Sequence, residues 1–290
     1  MDSRQEISEF LSSRRARLAP EQVGFGAGGN RRVPGLRREE VAVLAGVSSE
    51  YYRRIERGSL SGVSEEVLGA IADALQLDEA ETSHLFDLAR ATHGLRTRTR
   101  KTSGERVRPG IQDLIDSMLG VPAWVRNQRM DVLATNALGS ALYAPLLASE
   151  VAQGNNARFL FLDPASRDYY PDWERGADDV VAVLRGYTGQ NPQDKALSNL
   201  IGELVTQSTE FSRRWAAHNV KYHRTGTKRL HHPEVGELEL RYEALELPSD
   251  PGLTLFTYFP QPETATAERL RLLASWAAPT RDPLLSRDAR

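Results

Sequence analysis

Apolar residues along the first ninety positions recur in short helical periods, each closed by a turn signal. Ile7, Phe10, Leu11 and Leu18 mark one helix, and the glycine-rich run from Gly24 to Gly29 stops it because glycine favours non-helical backbone. Leu36, Val41, Ala42 and Leu44 form the apolar side of the next. Gly46 permits a left-handed exit, and Ser48 is placed to cap a helix through Tyr52 and Ile55. Ser64 opens a fourth with Val67, Leu68, Ile71, Ala72 and Leu75, and Leu85, Phe86 and Leu88 mark a fifth. The stretch from Arg96 to Gly104 has no apolar period and reads as a linker.

Beyond it the texture is mixed. Val121 to Val125 and Asp131 to Ala134 read as paired strands about Arg126 to Arg129. Helical periods return at Val180 to Leu184 and at Leu197 to Val205. Leu238, Leu240 and Tyr242 alternate with Glu237, Glu239 and Arg241, and Leu253 to Phe259 follows as another strand. The expected architecture is therefore multidomain. An all-α domain of five short helices spans 1–95, a basic linker 96–108, and an α+β domain with an antiparallel sheet 109–290.

The 290 residues exceed the usual span of one domain, which agrees with this division. The absence of cysteine excludes disulfides and thiolate chemistry. No apolar run approaches a membrane span and the first residues lack the order of a secretory signal, so a cytoplasmic location without membrane partners is expected. The net charge of −2 conceals two basic zones: eleven arginines face seven acidic residues between Arg4 and Arg57, and seven basic residues face only Glu105 between Arg90 and Arg108. Such zones suit phosphate, although solvated arginine surfaces are common.

The helix-turn-helix order of Arg37 to Gly58 gives the first zone a use. With Ala42, Val47, Tyr52 and Ile55 packed, Ser49, Glu50, Arg53 and Arg54 are left on the outer face of the second helix, where side chains meet base edges of double-stranded DNA. Arg54 is the leading base reader, since arginine engages guanine through two hydrogen bonds. Glu50 either accepts from cytosine or orients Arg53 or Arg54. Arg31, Arg32, Arg37, Arg38 and Arg57 suit phosphate, with Ser48 at the helix start. Glu56 is expected in an internal salt bridge.

The run from Val33 to Ala42, with Leu44 to Ser48 and Tyr51 to Gly58, resembles the Cro-like helix-turn-helix of xenobiotic-response-element-type regulators. Arg37 and Arg38 stand where that pattern usually has serine or threonine followed by glutamine. Val121 to Val125, Asp131 to Asn136, Arg158 to Pro164, Asp172 to Glu174, Leu204 to Val220 and His232 to Gly236 resemble, in order, the ligand-binding domain of MmyB-like regulators. That resemblance implies a PAS-like fold and, from some relatives, fatty-acid-like ligands. Asn155-Asn156 and Asn219 depart from the family's charged residues, so no specific ligand is carried over.

Candidate effector-binding residues are Trp124, Asn136, Arg158, Phe161, Trp173, Leu204, Phe211, Trp215 and His218. Asn136 suits a helix cap better than a ligand contact, and Trp173 and Trp215 suit a core better than a pocket wall, although aromatics also line apolar pockets. His218 with Glu210 is the one acid-base pairing considered. No nucleophile stands at a recognisable spacing, so neither catalysis nor a cofactor is expected. The spacing of His218, His223, His231 and His232 is not that of helical metal ligands, and no metal is expected. The resulting expectation is a homodimeric transcription regulator sensing a small apolar or amphipathic effector. The alternatives are a protein-interaction module or an acid-base enzyme joined to the DNA-binding domain.

Overall fold

In the computed structural model, residues 3–26, 35–92, 106–220 and 225–277 are described. The chain forms two compact units that are not contiguous in sequence: residues 1–99 pack with 178–222, and 100–177 pack with 223–290. The sequence expectation follows chain order and places 109–290 together. Packing instead groups 178–222 with the N-terminal helices, because buried polar and apolar contacts join them.

The first unit begins with α1 (Ser3–Arg17) and a short 3-10 turn (Pro20–Val23). There follow α2 (Arg38–Leu44), α3 (Ser49–Glu56), α4 (Glu65–Ala74) and α5 (Glu79–Thr92), the five helices expected. Ile7, Phe10 and Leu11 of α1 are buried with Leu36, Val41, Ala42, Tyr52, Ile55, Leu68, Ile71, Leu85 and Leu88 in one core, and Val220 joins it from far along the chain.

In the second unit, α6 (Pro109–Asp116), β1 (Ala123–Asn127), β2 (Val132–Thr135), α7 (Ala137–Leu142), α8 (Ala144–Ala148), α9 (Asn156–Leu162) and α10 (Ala165–Tyr169) follow. The helix α11 (Trp173–Gln190) starts in the second unit, and from Asp178 onward it belongs to the first, as do α12 (Lys195–Gln207) and α13 (Thr209–Trp215). The chain then completes the sheet of the second unit with β3 (Thr225–His232), β4 (Gly236–Glu246) and β5 (Leu253–Pro260), and α14 (Ala265–Ala277) packs on β4, β5 and α7.

The sheet order is β2-β1-β5-β4-β3, with every pair antiparallel. The expected alternation holds in β4, where Leu238, Leu240 and Tyr242 are buried between exposed Glu237, Glu239 and Arg241. The β1 strand starts later and runs further than expected: Arg126 and Asn127, read as turn residues, pair with Thr254 and Leu253 and are buried. The β3 strand was not expected, because only Leu230 and His232 of its side chains are buried and its run is largely polar.

An aromatic cluster fills the sheet's covered side. Trp124 stacks on Tyr143 with ring centroids 4.5 Å apart, and its Nε1 donates to the Tyr258 hydroxyl at 3.1 Å. Tyr169 donates to the Leu142 carbonyl at 2.6 Å and packs edge-on to Phe159. Burial pushes the phenols of Tyr143, Tyr169, Tyr170 and Tyr258 up, so they remain neutral donors. Arg108 clasps Asp250 with three contacts of 2.7 to 2.9 Å, fixing the start of α6 to the turn before β5.

A buried polar network holds the first unit together. The wholly buried Arg185 of α11 donates to Glu6 of α1 and to the Trp215 carbonyl, with its guanidinium 3.9 Å from the Trp215 ring centroid. Arg14 of α1 donates to the His218 carbonyl and pairs with Glu81 of α5 at 3.1 Å. His84 of α5 is buried edge-on to Phe10 and beside Gly189, where a Cβ would lie 2.6 Å from its ring.

Truncating Arg185 strands the Glu6 carboxylate in this core. Arg185→Ala is expected to lower the unfolding free energy by about 3–5 kcal/mol in urea titrations. His84 gives a second expectation. Burial first, then the charges of Arg185, Arg14 and His218, push its pKa down to about 3. The unfolded value is roughly 6.5, so its contribution is fully present above that pH and fades as pH falls toward the folded value. Stability measured between roughly pH 6.5 and 4 therefore falls less steeply in His84→Phe than in the parent.

Candidate functional site

The α2-turn-α3 motif is built as its sequence implies. Gly46 takes the left-handed conformation at φ 65°, which a side chain would strain, and the Val47 amide then donates to the Ala42 carbonyl at 3.0 Å. The Ser48 hydroxyl accepts from the Tyr51 amide at 3.1 Å and starts α3. Ala42, Tyr52 and Ile55 are buried and Val47 half-buried, so the opposite side of α3 faces away from the core.

Arg37, Arg38, Ser48, Glu50, Arg54 and Arg57 are exposed, while Ser49 and Arg53 are half-buried. Glu50 pairs with Arg53 at 2.9 Å, which favours its orienting role over free acceptance from a base. The Arg54 guanidinium lies 4.9 Å from the Tyr51 ring centroid, a contact that limits its swing while leaving it exposed. Arg31 and Arg32 lie outside the described residues.

Glu56 forms the internal bridge expected of it. Its carboxylate is buried at the end of α3 and accepts from Arg15 of α1 at 2.6 Å and from Arg38 at the start of α2. This contact holds Arg38 by its Nε and raises its pKa further. Arg15 also donates to the Leu36 carbonyl at 2.7 Å, so one arginine braces the entry to α2. A surplus of arginines is plain from the sequence here, but nothing in it marks Arg15 as the inward one.

The nine effector candidates fall into two sets. Trp124, Asn136, Arg158, Phe161 and Trp173 belong to the second unit, and Leu204, Phe211, Trp215 and His218 to the first. In the second unit Asn136 is a structural hub. Its Oδ1 accepts from the Ala123 and Gly139 amides, and its Nδ2 donates to the carbonyls of Ile115, Met118 and Val121 at 2.8 to 3.1 Å. The Trp173 Nε1 donates to the Leu160 carbonyl and the Ser166 hydroxyl, Phe161 packs edge-on to it, and Arg167 covers its ring. Trp124 is part of the aromatic core, and the Arg158 amide is taken by the Asn155 cap of α9.

In the first unit Leu204 and Phe211 are fully buried, with Phe211 stacked on Trp215. Trp215 and His218 instead line a cleft of about 770 Å³ with Glu9, Ser12, Ser13, Arg15, Ala16, Gly35, Val205, Ser212 and Ala216. Burial first, then Arg185, lowers the His218 pKa to about 4 against the opposing pull of Glu9, so the imidazole is neutral at pH 7. Glu210 is held by Arg213 and Arg214, which lower its pKa. It is therefore committed to a partner other than His218.

Residues 107–273 match the model of the MmyB-like transcription regulator ligand binding domain. Residues 6–85 match that of a helix-turn-helix domain. Comparison with the curated proteins returned no match. Among the described residues no helix is long and apolar enough to cross a membrane.

Replacing the hub tests its structural role. Asn136→Ala takes the side-chain partner from the Ala123 and Gly139 amides and the Val121 carbonyl, while the Ile115 and Met118 carbonyls keep a backbone donor, and is expected to cost roughly 2–4 kcal/mol of stability in denaturant titration.

Proposed function

Because the chain belongs to the MmyB-like transcription regulators, combining a helix-turn-helix domain with a ligand-binding domain, we propose that it is a cytoplasmic homodimer whose Cro-like motif reads duplex DNA under the control of a small apolar or amphipathic effector. The observation that carries the reading is the Ser48-capped α3, with Arg54 exposed beside Tyr51 and Arg38 braced by Glu56 at the start of α2. Arg54 reads a base, while Arg37, Arg38 and Arg57 meet phosphates. One recognition helix spans only a few base pairs, and a two-fold operator doubles the site, with half-sites about one helical turn apart.

The five-stranded antiparallel sheet with its helices supports the PAS-like reading of the second unit. For the effector, the cleft in the first unit has the volume of a small-molecule site, and its Ala16, Val205 and Trp215 suit an apolar or fatty-acid-like body. Its wall includes α1 residues of the DNA-binding core. Occupancy that favours one arrangement of these helices over another therefore biases the presentation of α2 and α3. Trp215 and His218 are the effector contacts assigned here, and the Asn136 and Trp173 polar atoms are assigned structural roles.

DNA titration of the full chain across a salt series tests the nucleic-acid assignment. Arg38→Ala is expected to weaken all sequences alike and to reduce the slope of log affinity against log salt by about 0.9. Arg54→Ala is expected to relax preference at one base position by roughly 1–3 kcal/mol. Uniform weakening by Arg54→Ala, with sequence preference unchanged, contradicts its base-reading role.

A further inference from the structure

We propose that Glu6, Glu9 and His218 form a binding site for one divalent transition-metal ion of the zinc class, set in the wall of the first unit. The proposal is independent of what the protein does to DNA. Each of the three side chains offers one ligand atom, and these atoms lie within 4.8 Å of one another. Glu6 and Glu9 stand three apart on α1 and so are neighbours on its surface. His218 reaches them from the turn after α13, its Nε2 lying 3.2 Å from Glu9 Oε2 and its Nδ1 3.9 Å from Glu6 Oε1. One ion takes only one of the two ring nitrogens, and ligands at about 2.0–2.2 Å from a tetrahedral ion sit roughly 3.3 Å from one another, so the imidazole and a glutamate must turn before all three close on it.

Two buried atoms in this cluster have no hydrogen-bond partner: Glu6 Oε2 and His218 Nδ1. Glu6 is 5% exposed and His218 8% exposed, so water does not freely satisfy either. A carboxylate oxygen and the acceptor nitrogen of a neutral imidazole are both electron-pair donors, and a cation between them satisfies both.

The neighbouring arginines have counter-groups of their own. Arg185 is held by Glu6 Oε1 and the Trp215 carbonyl, and Arg14 by Glu81 and the His218 carbonyl. Arg17, half exposed, lies 4.0 Å from Glu81. Arg14 and Arg17 share Glu81, so Glu9, whose side chain is 43% exposed, brings the three carboxylates level with the three arginines. Glu9 and His218 also line the cleft, which gives an ion and its water ligands a way in.

An imidazole with two carboxylates suits zinc, manganese or cobalt and offers too few oxygens for calcium. His218 adopts a left-handed backbone at φ 53°, which its surroundings impose on a residue with a side chain. Bound metal ties that turn to α1.

The test is equilibrium dialysis of the metal-free full chain against Zn²⁺, with Co²⁺ as a visible reporter and a parallel thermal melt. One saturable Zn²⁺ per chain is expected, with ligand-field absorption from Co²⁺ and a raised melting temperature. Glu9→Gln and His218→Ala should each weaken binding at least tenfold, while His231→Ala leaves it unchanged. Glu9→Gln spares the buried pair of Glu6 and Arg185, so its effect is read in a folded protein. No saturable binding, affinity unaltered in Glu9→Gln and His218→Ala, or loss of binding in His231→Ala overturns the proposal.

Discussion

The first unit depends on a guanidinium that has no access to water. Arg185 is 0% exposed, and such a group survives in a core only if its charge and its donors are matched there. Glu6 supplies the charge from α1, and Trp215 supplies both a carbonyl from α13 and an aromatic face. Three helices that are distant in sequence are thereby bound to one another's positions. Removing any one leaves the other two with an unmatched buried group.

This constraint explains why residues 178–222, which lie within the ligand-binding family match, pack with the helix-turn-helix core. In the proposed regulator that arrangement shortens the path from sensing to DNA. The α1 helix carries Glu6 and Arg14 toward α11 and the His218 turn, and it carries Arg15 toward Glu56. Glu56 in turn holds Arg38. A shift of the α11 to α13 segment thus bears on the same helix that braces Arg38, through contiguous ion pairs in place of a distant relay.

Much of the helix-turn-helix geometry was legible in sequence. The turn glycine, the capping serine and the four packed positions are local signals, and each acts within a few residues of where it stands. The inward role of Glu56 was legible for the same reason, since it follows Ile55 on the buried side of α3. The partners of Glu56 were not legible, because Arg15 and Arg38 arrive from other helices and their sequence neighbours are equally basic.

The second half was harder to read for two physical reasons. Helices α6 to α10 are five to eight residues long, too short for a 3.6-residue period to repeat, and β3 buries few apolar side chains. The effector candidates also separate, because a list ordered by sequence cannot show that α11 passes from one compact unit into the other. Asn136 illustrates the remaining ambiguity: the sequence favours a cap over a ligand contact, and only its five main-chain partners reveal the cap.

The claim that α1 and the α11 to α13 segment form one cooperative body is tested most directly by native-state hydrogen exchange on the full chain across a urea series. The account predicts that the slowest amides of α1, of α11 beyond Asp178 and of α13 open with the same free energy and the same urea dependence. Exchange of the α11 to α13 amides through a separate, lower-energy opening while α1 stays protected would contradict it.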